Sequence, residues 1–322
     1  MGTDRGLRAA GFAGMLAFLL AAPGFLGEYQ VHALIVSLTF LLPALGLNLI
    51  LGYAGMLSFA QMAFFGIGAY VSALMAMRWG TPFWLNLCAA SLVAGIVAVP
   101  LGFPALRLRR YSFVMCTLGF AVIAQTLAKN WVSLTRGDLG LSNVPRPVLG
   151  LWSSGLEIRS VTQYYYLALA LGVIAVLAFL ALVSSPAGRY MIAIREDETL
   201  AASLGAPTWR YRMAAFVLSA MFAGCGGSFY VHYYTVISPT IFDPYYGNTL
   251  LVIVLGGGVG TLGVVVAGSF IFVALSEVLR VAPDIRMIAY GLLLIVVVFG
   301  CPEGLLPLLM RRLRTWRRAD AT

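Results

Sequence analysis

GLNLILGYAGMLSFAQMAFFGIGAY, residues 46–70, is apolar enough to lie at membrane depth, yet glycines break it and Asn48, Ser58 and Gln61 interrupt its apolar surface. Backbone that leaves the helix inside a bilayer finds no water to bond, so it must be buried in protein or line a water-filled cavity. An interrupted segment of this kind points to the wall of a pathway. Close helix packing through Gly66 and Gly68 would account for the glycines but not for the polar trio.

The chain around this run has 322 residues, of which 61% are hydrophobic and 10% charged, with a mean hydropathy of +0.92. That composition excludes a water-soluble globule. Several apolar runs reach the roughly 20 residues needed to cross about 30 Å of hydrocarbon. The expected fold is an all-α, polytopic transmembrane helical bundle, one domain over residues 1–322. The net charge of +9 comes from arginines gathered in a few loops and a tail, which the positive-inside rule explains without nucleic acid. Cys88, Cys116, Cys225 and Cys301 are scattered through apolar segments and read as small buried hydrophobes, giving neither a disulfide framework nor a metal site.

Arg5 and Arg8 place the N-terminus in the cytoplasm, ahead of a first span near Ala9–Leu26 that reads as a span rather than a cleavable signal. A second span covers Val31–Leu51, with His32 as an interfacial residue at its mouth. A third ends near Met77 and a fourth covers Phe83–Leu106. Arg107, Arg109 and Arg110 then mark a return to the cytoplasm before a fifth span, Tyr111–Trp131. The polar segment 132–161 is long for a connection in a compact membrane domain, so it is expected to have a task on the outer side. A sixth span covers Gln163–Val183. The seventh, Met213–Val236, contains Ala223-Gly224-Cys225-Gly226-Gly227-Ser228, small residues that allow close helix contact.

Between the sixth and seventh spans lies SSPAGRYMIAIREDETLAASLGAPTWRYR, residues 184–212, a charged interruption that reads as a cytoplasmic protein-docking loop. Glu196-Asp197-Glu198-Thr199-Leu200-Ala201-Ala202-Ser203-Leu204-Gly205 has the grammar of one short helix: acidic residues in the first turn, strong helix formers next, and a glycine stop. Ala201 and Ala202 present almost no side chain, so this helix could lie in another protein's cleft, with Glu198 and the flanking Arg189, Arg195, Arg210 and Arg212 making polar contacts. An ordinary solvated loop helix is the alternative.

Read as one crossing, Thr249–Arg280 would leave the basic tail 308–322 outside, against the positive-inside rule. Two shorter crossings, turning near Gly256-Gly257-Gly258-Val259-Gly260, keep it inside and give about ten spans with both termini cytoplasmic. The glycine-broken run from Gly52 through Gly55 and Gly66 to Gly68 then has a counterpart at Gly256–Gly268. Paired interruptions of this kind point to a midplane pathway.

Ion-driven transporters usually hold ionisable residues at membrane depth. Here such residues sit in loops or near span ends, with only Lys129 and Glu277 close enough to query. No phosphate-cradling Gly-x-x-x-x-Gly-Lys-[Ser/Thr] run exists, so the chain is not itself an ATPase. Ser228 and His232 lie four apart on one helical face, but nothing in the sequence supplies the oxyanion donors that Ser–His chemistry needs. The expectation is a transport subunit rather than an enzyme, with no catalytic or metal site.

Gly46-Leu47-Asn48, Leu51-Gly52-Tyr53-Ala54-Gly55-Met56-Leu57-Ser58-Phe59 and Ala63-Phe64-Phe65-Gly66-Ile67-Gly68-Ala69-Tyr70 together resemble the signature of branched-chain amino-acid ABC permeases of the LivM type. Ala187-Gly188-Arg189 with Ala193-Ile194-Arg195-Glu196-Asp197-Glu198, Ala201-Ala202 and Leu204-Gly205 agrees with the family's coupling loop, and Val254–Leu262 agrees as well. The outer Leu134–Leu141 resembles its Thr-Gly-Gly…Gly-Leu loop. Two departures stand out: Gln61 occupies a place where many members carry His, and Arg136 replaces a family Gly.

The resemblance implies the membrane core of a binding-protein-dependent importer in the bacterial inner membrane, moving branched-chain or other amino acids by alternating access. The implied partners are a LivH-type permease, two ABC ATPase subunits carrying ATP and Mg, and a periplasmic substrate-binding protein; the chain itself needs no cofactor. Arg195, Glu196, Asp197, Glu198, Ala201, Ala202 and Gly205 would couple to the ATPase. Asn48, Ser58 and Gln61 could bond a passing zwitterion, while Phe64, Phe65 and Tyr70 shape an apolar path or simply pack. Gly52, Gly55, Gly66, Gly68, Gly256, Gly257, Gly258 and Gly260 would shape the pathway. A stand-alone channel for a small neutral solute such as urea is the other reading, and sister families carry urea, amides or sugars.

Overall fold

The computed structural model describes residues 18–149 and 156–278, with residues 14 and 292 besides. Its helices are α1 (Glu28–Asn48, continued by a π-helical stretch, Leu49–Tyr53), α2 (Gln61–Trp79), α3 (Phe83–Ala105), α4 (Arg110–Asn130) and α5 (Val161–Ser184). There follow α6 (Pro186–Glu196), α7 (Glu198–Ser203), α8 (Thr208–Tyr234), α9 (Pro244–Leu251, continued by a second π-helical stretch, Val252–Gly256) and α10 (Leu262–Val278). Among the described residues six helices are long and apolar enough to cross a membrane: α1 with its π-helical end, α2, α3, α4, α5 and α8. Only the end of the expected span Ala9–Leu26 is described. The expected spans beyond residue 278, the tail 308–322 and Cys301 lie outside the described residues.

Two side-chain hydroxyls inside α1 are satisfied locally. Ser37 and Thr39 of α1 each donate to the carbonyl four residues back, at 2.8 Å, which removes the cost of an unpaired polar group in an apolar setting. Helix ends are stopped by side chains and backbone conformation. Ser160 and Gln163 form a capping box at the start of α5. Gly80 closes α2 in the left-handed conformation, φ 60°.

Helix α8 is the centre of the bundle, with α3, α2 and α1 packed around it. Its small-residue stretch is what permits this. A Cβ on Gly224 would stand 2.6 Å from the Cβ of Ala94 on α3, and one on Gly226 would stand 2.9 Å from Cδ of Pro43 on α1. On α2, a Cβ on Gly68 would come within 2.5 Å of Gly224 Cα. Without lipid-water contrast to drive helices together, such close backbone approach supplies the dispersion contact that holds them.

The segment expected as a polar outer loop has structure of its own. It contains a one-turn helix, Val132–Thr135, and β1 (Leu141–Ser142), which pairs antiparallel with β4 (Val236–Ile237) just past α8. A second small ladder joins β2 (Val148–Leu149) to β3 (Leu156–Glu157).

The docking loop differs from its expected form. It is largely helical, and α8 begins at Thr208, so Arg210 and Arg212 belong to a membrane helix rather than to the loop. The single helix expected over 196–205 is divided at Asp197, and Glu196 closes the preceding helix α6. Asp197 takes an extended conformation and its carboxylate accepts from the amides of Thr199 and Leu200, both at 2.9 Å. An N-cap aspartate stabilises a helix start by about 1 kcal/mol, enough to move the start two residues, from Glu196 to Glu198. The far end is as expected. Gly205 is left-handed, φ 86°, and the Ala206 and Gly205 amides donate to Ala201 O and Ala202 O in a Schellman motif.

Candidate functional site

The two glycine-broken runs share one design and touch. Each begins as an α-helix, widens into five π-helical residues (Leu49–Tyr53 and Val252–Gly256), leaves the helix, and resumes as α2 or α10. Such π segments are rare and collect at functional sites. In the second run Gly258 (φ 126°) and Gly260 (φ 81°) turn the chain. A Cβ on Gly52 would stand 2.6 Å from the Gly260 nitrogen, so only glycine allows the two breaks to meet. Asn48, fully buried, fixes the junction: its Oδ1 accepts from the Gly260 amide at 2.9 Å. Its Nδ2 finds no partner among the described residues.

Irregular backbone between the first π stretch and α2 is satisfied from nearby side chains, as burial in an apolar bundle demands. Ser58 Oγ accepts from the Ala60 amide at 3.3 Å, and Thr117 Oγ1 on α4 accepts from the Phe59 amide at 3.2 Å. Gln61, the first residue of α2, staples three helices. Its Nε2 donates to Pro43 O at 3.1 Å and Ser219 O at 3.0 Å, while its Oε1 accepts from Ser219 Oγ at 2.8 Å.

The aromatic candidates pack. Phe64 meets Phe120 and Phe216, and Phe65 meets Phe40 and Tyr230, with ring centroids 5.4–5.9 Å apart. Tyr70 stacks on Phe242 at 6.0 Å, and its hydroxyl is buried without a partner among the described residues. Of the glycines, Gly52, Gly55 and Gly260 sit at the junction or beside the docking loop. Gly66 lies against the Phe242 ring, Gly68 against Gly224 and Gly257 against Val264, in packing contacts.

The docking segment meets the junction directly. Arg195 Nη1 donates to Gly52 O, and its Cγ lies 3.1 Å from where a Cβ on Gly55 would stand. Glu198 pairs with Arg212 at 2.6 Å, and Arg212 Nε lies 3.2 Å from Met56 Sδ. Arg195, Glu196, Asp197, Glu198 and Arg212 line a cleft of about 380 Å³ together with Gly55, Arg109 and Arg110. The Arg195–Glu196 pair, 4.0 Å apart and exposed, contributes little. Ala201 is buried against the chain's own surface, whereas Leu200 and Leu204 are 58% and 79% exposed, four apart on one helical turn. The sequence reading weighed the alanines and passed over these leucines, although their i, i+4 spacing was the signal.

Ser228 and His232 belong to a buried clasp whose third member, Ser72, the sequence reading missed. Ser72 Oγ lies 2.8 Å from Ser228 Oγ and 3.0 Å from His232 Nε2, and His232 Nδ1 bonds Pro145 O at 2.8 Å. Ser72 and Ser228 are wholly buried and His232 nearly so; the cluster ties α2 and α8 to the segment between α4 and α5. Beside it an apolar cavity of about 780 Å³ opens, lined by Trp79, Phe83, Trp84, Pro145, Arg146 and Pro147 among others.

The departure at Arg136 falls on a position whose backbone favours glycine. Arg136 is left-handed, φ 61°, a conformation that glycine adopts without strain. Because it is exposed, Arg136→Gly should stabilise the protein by about 1 kcal/mol. A thermal midpoint in detergent about 2 °C higher is expected; a lower one would mean the side chain has contacts that outweigh the strain.

Residues 30–298 match the family described as branched-chain amino acid transport system / permease component. The chain is 31% identical over 319 residues to the high-affinity branched-chain amino acid transport system permease protein LivM of Escherichia coli strain K12, covering 93% of this chain and 75% of that one. It is equally similar to LivM of Salmonella typhimurium strain LT2. LivH of that organism is 29% identical over 300 residues, covering 87% of this chain and 94% of LivH. No solved structure matches the chain.

Proposed function

From the premise that this chain belongs to the branched-chain amino acid transport permease family, we propose a route by which it moves its solute. It is a multi-pass membrane protein and the permease subunit of an ABC importer, a transport subunit rather than an enzyme. Similarity to both LivM and LivH supports a multi-subunit system in which this chain pairs with a LivH-type permease. In our reading the pair crosses the bacterial inner membrane with about ten spans in this chain and both termini cytoplasmic. A periplasmic binding protein delivers leucine, isoleucine, valine or another amino acid to the outer loops. Two ATPase subunits, holding ATP and Mg, drive alternating access from below.

The observation that carries this reading is the docking helix α7. It is capped at both ends, exposes Leu200 and Leu204, and lies beside the paired helix breaks. An apolar pair on a rigid, exposed turn suits a groove in a partner. The apolar outer cavity, within the size range of small-molecule sites, suits an aliphatic side chain. Asn48 Nδ2 and Tyr70 Oη are buried donors left over to meet a zwitterion on its way.

Glu198→Arg sets like charges beside Arg212 and turns the docking surface against its partner. Uptake in membrane vesicles should fall at least about tenfold, as expected when a charged contact is lost, with the protein still present in the membrane. Gly205→Trp should act alike by crowding the exposed end of α7. Normal uptake by both variants would remove the docking assignment, and recovery of the chain without ATPases under mild detergent would favour the channel.

A further inference from the structure

We propose that Arg195 is the positioning residue that carries movement of the docking helix into both helix breaks at once, an inference that rests on the permease reading above. Two residues before the Asp197 cap, Arg195 reaches back 143 positions to donate to Gly52 O. The same guanidinium nitrogen lies 3.1 Å from where a Cβ on Gly260 would stand. One cation therefore bonds the first break and lies beside the second, in the space that a Cβ on Gly260 would need. Asn48 closes the triangle by accepting from the Gly260 amide. Glu198, the first residue of α7, holds Arg212 of α8, whose Nε lies against Met56 in the irregular segment that follows the first break. Residues 52–56 are thus gripped from both flanks of a six-residue helix. A displacement of α7 cannot leave them in place unless one of these contacts is broken.

The carbonyl that Arg195 holds is one that a π-helical end leaves exposed, because the chain beyond Tyr53 has left the helix. Arginine suits the position: its planar guanidinium is a rigid head that holds one nitrogen between the two breaks. Lysine keeps the charge and can bond Gly52 O, but its small, freely rotating ammonium lacks the rigid planar head that also lies beside Gly260.

The test uses the complete complex in proteoliposomes, reading solute uptake and ATP hydrolysis in parallel for the wild type, Arg195→Ala and Arg195→Lys. Amide hydrogen exchange over residues 48–60 and 255–262 is read on the same preparations. Expected for Arg195→Ala is uptake lower by about tenfold, the loss of one hydrogen bond from a charged donor, while ATP hydrolysis and complex assembly persist. Exchange should quicken at both breaks, although residue 195 bonds only the first. Arg195→Lys should restore uptake in part and protect the first break more than the second; it also serves where the alanine variant fails to accumulate. Unaltered uptake, or unaltered exchange at the second break, overturns the link. Loss of ATPase subunits from the Arg195→Ala complex also overturns it, by placing Arg195 at the partner instead. A wild-type complex without ATP-driven uptake defeats the permease reading, while the exchange measurement still decides the link.

Discussion

Gly227→Leu is expected to abolish accumulation of folded protein, read as the loss of a monodisperse peak from detergent extracts. A Cβ at this position would collide with the carbonyl oxygen of Phe65 and stand 2.9 Å from the Ala69 nitrogen. Both obstacles are backbone of α2, so no rotamer change relieves them. Overpacking that side chains absorb costs about 1–3 kcal/mol; parting two central helices costs more, a large share of a total stability of about 5–15 kcal/mol. Nor can α8 retreat, because Gly224 and Gly226 in the same turn already touch α3 and α1. The control is Gly119→Leu on α4, where nothing lies within 4 Å. If Gly227→Leu accumulates as well as that control, α8 is not packed as described.

A second large effect belongs to Gly52→Val, which should leave the protein in the membrane but eliminate uptake. The new side chain would press on Gly260 and Asn48 and break the 2.9 Å bond between them. Asn48 would then be buried with both ends of its amide unpaired, a penalty of about 1–3 kcal/mol, and the two breaks would separate. Because the clash lies at the end of α1 rather than in the α2–α8 seam, folding should survive. Uptake equal to wild type would show that the breaks need not touch.

Much of this arrangement was legible in the sequence, and the exceptions have physical causes. Glycines at 52, 55, 256, 258 and 260 announced that helices would break there, since glycine takes positive φ without strain and allows close backbone approach. The small residues from Ala223 to Ser228 announced close helix contact, though not that this helix is the centre of the bundle. What the glycines could not announce is the winding before each break: π-helical turns at Leu49–Tyr53 and Val252–Gly256 use ordinary apolar residues and have no compositional mark. The Asn48–Gly260 bond spans 212 positions, beyond any local pattern. Gln61 read as a polar residue facing a pathway, yet it is spent on Pro43 and Ser219, because a buried amide is held wherever carbonyls lie near. In the docking loop the acidic run was legible but its boundary was not. Three consecutive carboxylates offered equal candidates for a helix start, and only Asp197, with the shorter side chain, caps it.

The π-helical turns have a mechanical meaning beyond their rarity. A π turn holds one residue more than the α turn it replaces, its backbone bonds reaching five residues instead of four. Converting one to the other slides a single residue out of the turn and rotates everything beyond it by about 100° about the helix axis. With one such turn before each break, the meeting ends of the two runs sit on a pair of screws whose outer lengths need not move. Tyr53 and Gly256, the last residues of the two turns, are then the positions whose side of the helix reports which way each screw is wound.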